Sequence, residues 1–252
     1  MRVGVYYSYK GGTGKTTSII NMANNLCKVY EKKVLLVDMD PQCNLTWMFG
    51  KVNRLGNNIC TVFKGEKALK DCIRKTRIPG IDMVYGSIKL DDLDIGDAEI
   101  LKRELEGVKE YYDYVLIDCH PAFDWKAINA MVVAQDLIIT LKLDQFGLNG
   151  LELIQNRVRK CKSVDASYDN LDNIKILVTM AANRTSQMKT LEELLEDEPY
   201  PHFKTAITYG EAVNSAMKLK KPLLRHRSRA KVTLDYLAVT KEYLKGESSY
   251  EQ

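Results

Sequence analysis

A short apolar run at residues 2–8 leads directly into Tyr9-Lys10-Gly11-Gly12-Thr13-Gly14-Lys15-Thr16-Thr17, and a helix-like stretch, 14–30, begins inside that loop. Few sequence features constrain a fold more. A glycine-rich turn between a buried strand and the start of a helix belongs to α/β architecture. Gly11, Gly12 and Gly14 let backbone N–H groups curl around an anion where a Cβ would intrude. The helix behind the loop turns its positive end toward the same point. Lys15 adds a point charge suited to the β- and γ-phosphates of a nucleotide, and Thr16 offers a hydroxyl to Mg²⁺. The segment from Lys10 through Thr13 to Thr17 therefore reads as a phosphate-binding loop. A glycine-rich turn that binds nothing would not account for the lysine and threonine at this spacing.

The rest of the chain repeats the same alternation. Apolar, β-branched runs at 2–8, 33–38, 81–85, 114–118, 137–143 and 174–179 read as strands. Helix-like segments fall at 14–30, 98–111, 125–133, 150–162, 188–196, 210–218 and 231–244. Strands this apolar are covered on both faces, so the expected fold is an α/β doubly wound, mostly parallel sheet with helices on both faces. Residues 46–80 show poor periodicity and yield no element. With no linker, repeat or low-complexity tract, 1–246 reads as one domain and 247–252 as a disordered tail.

Composition excludes several classes. No apolar run approaches the roughly 18 residues a bilayer span needs, and the start lacks a signal-peptide pattern, which points to the cytoplasm. The six cysteines are scattered with no Cys-x-x-Cys pair, against a zinc site or a disulfide framework. Net charge is only +4, but basic residues gather between Lys218 and Lys231. That distribution permits nucleic-acid binding without requiring it.

Three aspartates complete the candidate site. The run 34–37 ends in Asp38-Met39-Asp40-Pro41-Gln42, and a spacing of two puts both carboxylates on one side of a continuing strand. Strand ends of this kind form the ligand edge of an open α/β sheet, and two carboxylates exceed what helix capping calls for. Tyr114-Val115-Leu116-Ile117-Asp118 is a buried strand ending in an acid able to meet Mg²⁺ through water. That pattern is common alone and becomes informative beside the phosphate loop.

The second lysine of the loop, Lys10, has no role in an ordinary phosphate loop. Lys10-Gly11-Gly12-Thr13-Gly14-Lys15-Thr16-Thr17 resembles the deviant Walker A box of the ParA/MinD family of P-loop ATPases. The resemblance extends to 34–46, to 112–118 and, more faintly, to 230–242, and it is nearest to short ParA proteins. It implies ATP and Mg²⁺ as cofactors and a homodimer formed on ATP binding, in which Lys10 reaches the partner's phosphates. It implies that Asp40 positions the attacking water, and that Asp38 supports the Mg²⁺ shell beside Thr16 and Asp118. In relatives the loop after a late strand lines the adenine, which here singles out Asn183. Two positions depart from the family pattern: His120 replaces a proline, and Asp124 stands where many relatives carry a small or apolar residue.

The resemblance leaves the second partner open. Short ParA proteins bind non-specific double-stranded DNA when ATP-bound and answer to a ParB-like centromere-binding partner. MinD-like relatives bind membrane through a basic amphipathic C-terminal helix. Asp235 and Glu242 interrupt that pattern here, so no membrane is expected. The DNA candidates are Lys218, Lys220, Lys221, Arg225, Arg227 and Arg229, whose alternative is an ordinary solvated face. An iron–sulfur reading needs paired cysteines that Cys119 does not supply. A MinD-like membrane-associated positioning ATPase and a non-hydrolysing nucleotide-gated adaptor are the alternatives, and a nucleoid-associated cytoplasmic ATPase is the expectation.

Overall fold

The computed structural model describes residues 1–50, 56–143, 150–158 except 152 and 155, 173–182, 189, 193 and 201–247. Its centre is a seven-stranded sheet. The strands are β1 (Arg2–Tyr7), β2 (Val34–Met39), β3 (Ile73–Lys75), β4 (Ile81–Val84), β5 (Tyr114–Cys119), β6 (Asp136–Lys142) and β7 (Asn173–Thr179). They lie in the order β3-β4-β2-β5-β1-β6-β7. Every pairing is parallel except that of the short edge strand β3 with β4.

The period-two alternation of each strand feeds two cores. Val5, Leu35, Val37, Val115 and Ile117 face one side, under Leu101, Leu105, Ala127, Ala130 and Met131. Those five residues come from α5 (Ile100–Glu106) and α6 (Trp125–Val133). Tyr6, Val34, Leu36 and Leu116 face the other side, under Ile19, Met22, Val232, Tyr236 and Val239. These come from α1 (Lys15–Tyr30) and α9 (Lys231–Glu247), the latter preceded by α7 (Glu211–Lys218) and α8 (Leu223–His226). Each fully buried aliphatic or aromatic side chain contributes about 1.5–3 kcal/mol. The closing helix α9 is thus packed along α1, as its interrupted apolar face suggested.

The sequence expectation fails at 46–80. That segment holds α2 (Asn44–Phe49), α3 (Ile59–Phe63), α4 (Leu69–Cys72) and β3. Each is too short to show a period, and of the three helices only α3 carries a side-chain cap. Asn58 accepts from the Cys60 N–H while its own N–H donates to Thr61 Oγ1, closing a capping box on α3. The helix expected over 98–111 ends at Glu106, where Gly107 follows. Residues 201–209, for which no element was expected, run parallel to β7: Phe203 N–H donates to the Ile176 carbonyl and Ile207 N–H to that of Val178. The helix expected at 188–196 lies almost wholly outside the described residues, as do parts of that at 150–162 and residues 248–252 of the expected tail.

One buried polar knot ties the first strand to the last helix. Arg2 donates two hydrogen bonds to Asp136, of 2.6 and 2.7 Å. Asp136 also accepts from Tyr243 Oη at 2.6 Å and Asn173 Nδ2 at 3.2 Å. The Asp136 side chain is 1% exposed, so removing it takes away the buried carboxylate that Arg2, Tyr243 and Asn173 share. Asp136→Ala is expected to lower unfolding free energy by about 3 kcal/mol. Urea titration followed by circular dichroism checks this, and a loss below about 1 kcal/mol would show the knot to be dispensable.

Candidate functional site

The chain leaves β1 toward β2 on one side, while the β5–β6 crossover passes to the other side of β1. The carboxyl end of β1 is therefore a topological switch point, where open α/β sheets hold ligands. The glycine-rich loop begins there. Gly12 (φ 76°) and Gly14 (φ 84°) adopt the left-handed backbone that side-chain-bearing residues avoid, which turns the loop back over the strand.

Side chains from three strands pin the loop. Ser8 Oγ donates to the Lys10 carbonyl at 2.7 Å. Thr13 and Thr140 hydroxyls share a hydrogen bond of 2.9 Å, and Thr179 Oγ1 donates to the Thr13 carbonyl at 2.7 Å. Lys15 is 6% exposed and donates to Ser8 Oγ at 2.9 Å, which holds its ammonium under the loop. Gly11, Gly12, Thr13, Gly14, Lys15, Thr16 and Thr17 line a cavity of about 330 Å³, with Asp40, Gln42, Asn44 and Trp47 on the far wall.

Beneath this cavity Asp38 and Asp118 are register partners on β2 and β5, and both are fully buried. Burial, and for Asp118 next the charge of Asp38, pushes both carboxyls well above the usual range. Their surroundings differ. Asp38 Oδ2 accepts from the Thr46 N–H at 2.8 Å and Thr46 Oγ1 at 2.6 Å, and Oδ1 accepts from the Asp40 N–H at 3.2 Å. Asp38 therefore holds α2 and orients Asp40, and Gly86 is required beside it because a Cβ there would sit 2.9 Å from Asp38 Cγ. Asp118 Oδ2 accepts from Thr16 Oγ1 at 2.6 Å, but its buried Oδ1 has no hydrogen-bond partner among the described residues. A hydroxyl and a carboxylate with one orphaned oxygen suit Mg²⁺, which takes one or two protein ligands, keeps waters and draws the rest from phosphates. Among the described residues no three-residue cluster of His, Cys, Asp or Glu forms a closed metal cage.

Asp40 is 6% exposed and lines the phosphate cavity, with Oδ1 accepting from the Gln42 N–H at 2.9 Å. Lys10 is exposed and lines a neighbouring cleft with Tyr9 and Leu151. Both departures from the family pattern have local structural duties. Asp124 caps α6, accepting from the Lys126 and Ala127 N–H groups, and pairs with the Lys126 ammonium at 2.7 Å. His120 Nδ1 accepts from the Ala122 N–H at 3.2 Å. The Cys119 thiol is fully buried, and burial pushes its pKa far up, so it is inert.

Next to the loop lies a smaller cavity lined by Gly14, Thr17, Thr179, Met180, Ile207, Thr208, Tyr209, Gly210, Val213, Asn214 and Tyr236. It is apolar with amide and hydroxyl groups at its rim, suited to a nucleotide base. Sequence reasoning placed the base at Asn183, which lies outside the described residues. It overlooked Tyr209, Gly210, Val213 and Asn214, although an apolar Ala206-Ile207 pair ending in Gly210 before a helix marks a further chain end at this edge. Of the basic candidates, Lys218, Lys221, Arg225, Arg227 and Arg229 are exposed. Lys220 instead sits 4.1 Å from the Trp47 ring centroid and donates to the Gly50 carbonyl at 3.4 Å.

The fold and the site together define a P-loop nucleotide-binding protein. Residues 1–172 match the model of the AAA domain family. The chain is 30% identical to the Bacillus subtilis sporulation initiation inhibitor protein Soj, over 92% of this chain and 94% of that one. It is 28% identical to the Caulobacter vibrioides chromosome partitioning protein ParA, over 98% and 95% of the two chains. A Borrelia burgdorferi plasmid partition protein solved with AMPPNP superposes with a TM-score of 0.80 at 26% identity, covering 97% of this chain and 99% of that one. The chain belongs to the ParA family of P-loop ATPases.

Filling the base cavity tests its assignment. Val213→Trp is expected to weaken binding of a fluorescent ATP analogue more than tenfold while leaving the melting temperature within a few degrees. Unchanged affinity in a folded variant would move the base elsewhere.

Proposed function

We propose that this chain is a ParA-type DNA-partition ATPase: it closes as a dimer around ATP, binds DNA without sequence preference and lets go on hydrolysis. The observation that carries the nucleotide part is the Thr16–Asp118 hydrogen bond with the orphaned Asp118 Oδ1 beside a pinned glycine loop. Partition function is proposed from relatives named as a chromosome partitioning protein and a plasmid partition protein.

Each residue has a role in this reading. Backbone N–H groups of Gly11–Thr17 and the Lys15 ammonium hold the phosphates. Thr16 and Asp118 hold Mg²⁺, which when bound neutralises charge on the phosphate oxygens. Asp38 acts through Thr46 and Asp40, keeping α2 and the water-orienting carboxylate in place. Asp40 orients the attacking water from the cavity wall. Lys10, set to one side of its own phosphate cavity, reaches the partner subunit's nucleotide in the closed dimer. The base lies against Met180, Tyr209 and Val213.

The exposed Lys218, Lys221, Arg225, Arg227 and Arg229 meet DNA phosphates. Dimerisation doubles those contacts, and each contact steepens the salt dependence by about 0.9 units. ATP thereby gates DNA attachment. Turnover is slow until a ParB-like partner stimulates it, because a switch must persist between signals. No helix among the described residues is long and apolar enough to cross a membrane, and α9 turns its apolar face to α1 rather than outward.

The decisive measurement is binding to random-sequence duplex DNA with ATP, ADP or no nucleotide across a salt series. Wild type is expected to bind with ATP only and to weaken steeply with salt. Lys10→Ala is expected to bind ATP yet neither dimerise nor bind DNA. Lys15→Ala is expected to lose roughly tenfold to a hundredfold in ATP affinity. Asp40→Ala is expected to dimerise and hold DNA without releasing phosphate. Nucleotide-independent DNA binding would sink the gating, and a hydrolysing Asp40→Ala protein would remove the catalytic role of Asp40.

A further inference from the structure

The end of the sheet opposite the nucleotide loop carries a feature that the ATPase cycle does not use. The chain segments entering β2, β4 and β5, together with the end of the antiparallel strand β3, surround a groove of about 900 Å³. Its apolar lining is Ile73, Ile78, Pro79 and Val108. Lys33 in the loop before β2, Lys70 on α4 and Lys75 on β3 stand on it, and all three are exposed. None of them has an ion-pair partner among the described residues, whereas nearby Lys109 is paired with Glu106 at 2.6 Å. The carboxylate that lines the groove, Asp82, accepts from Tyr112 Oη at 2.9 Å. Tyr111 is 68% exposed at the rim, a large ring left in water.

From this geometry we propose that the groove docks an extended acidic peptide segment of a partner protein, with carboxylates on the lysine rim and apolar side chains on the floor. Charge complementarity selects the occupant. Three unpaired ammonium groups around an apolar floor match a chain that alternates acidic and apolar side chains. A nucleic-acid duplex fits poorly, because a rigid convex rod cannot follow a concave floor and would leave the apolar surface uncovered. An exposed tyrosine at the edge of a concave patch is the kind of anchor on which interfaces concentrate their energy. The groove lies at the amino edge of the strands and the nucleotide at the carboxyl edge, so the peptide and ATP bind together. The inference goes beyond the ATPase reading and does not depend on it.

The test uses the full chain and a fluorescein-labelled Glu-Leu-Asp-Gly-Glu-Leu-Asp-Gly peptide, followed by fluorescence anisotropy with and without ATP. Its Gln/Asn counterpart and a labelled random DNA duplex serve as comparisons. The acidic peptide is expected to bind at least about tenfold tighter than the amide peptide, to weaken with salt and to be indifferent to ATP. The combined Lys33→Gln, Lys70→Gln and Lys75→Gln variant is expected to lose about tenfold or more. Arginine at the same three positions is expected to retain binding, which separates lost charge from a damaged fold. Equal binding of the two peptides, or an unaffected glutamine variant, overturns the proposal. So does a glutamine variant that weakens only on the duplex, which would make the groove a nucleic-acid surface.

Discussion

Two fully buried carboxylates on neighbouring strands are the constraint around which this end of the molecule is built. Asp38 and Asp118 face each other in register, and a protein interior tolerates such a pair only where donors or cations meet it. Asp38 is answered by Thr46 and the Asp40 N–H, and that answer fixes where α2 starts and where Asp40 points. Among the described residues Asp118 is answered on one oxygen only. The pair is thus only partly satisfied by the protein, and the carboxylate left short is the one bonded to Thr16 of the phosphate loop. The cost of burying that oxygen is offset when a divalent cation and its nucleotide are present, which couples stability of the site to occupancy.

The same economy explains why the loop is pinned rather than free. Backbone N–H groups stabilise phosphate strongly only if they already point inward, since ordering them on binding would consume the gain. Thr13, Thr140 and Thr179 supply that order from β6 and β7, and Ser8 supplies it from the end of β1. Ser8 also accepts the Lys15 ammonium and so keeps the cation beneath the loop.

Much of this was legible in the sequence, and the limits have physical causes. The strand–loop–helix motif, the acid at the end of β5 and the parallel sheet follow from runs of apolar residues long enough to show a period. Every strand expected from such a run is present, with ends shifted by a residue or two. The segment 46–80 was opaque because helices of four to six residues carry no period; α3 is set by its Asn58 cap and α2 is held by the distant Asp38. The cavity beside the glycine loop was not legible because 201–209 pairs with β7 through scattered backbone hydrogen bonds that leave no alternating pattern. Asp124 and His120 stand out in the sequence only as departures from the family pattern. Asp124 is a helix cap and His120 a turn acceptor, duties that only the local backbone reveals.

The geometry also joins the two cavities beside the glycine loop and the basic segment through one stretch of chain. Gly210, Val213 and Asn214 line the base cavity, and Met217, one turn further along α7 (Glu211–Lys218), lines the phosphate cavity. Lys218 and the exposed cations follow immediately. Lys220 has a left-handed backbone (φ 52°), a conformation that costs a lysine about 1–2 kcal/mol. Its ammonium lies over Trp47, on the wall of the phosphate cavity, and Arg77 donates to both the Met48 and Lys220 carbonyls. Strain of this kind persists only where surrounding contacts over-determine it. Here the contacts bind the basic segment to α2, whose start is set by Asp38. A displacement of α2 or α7 at the nucleotide would therefore be transmitted to the basic face through packed side chains, without a hinge and without a separate sensor.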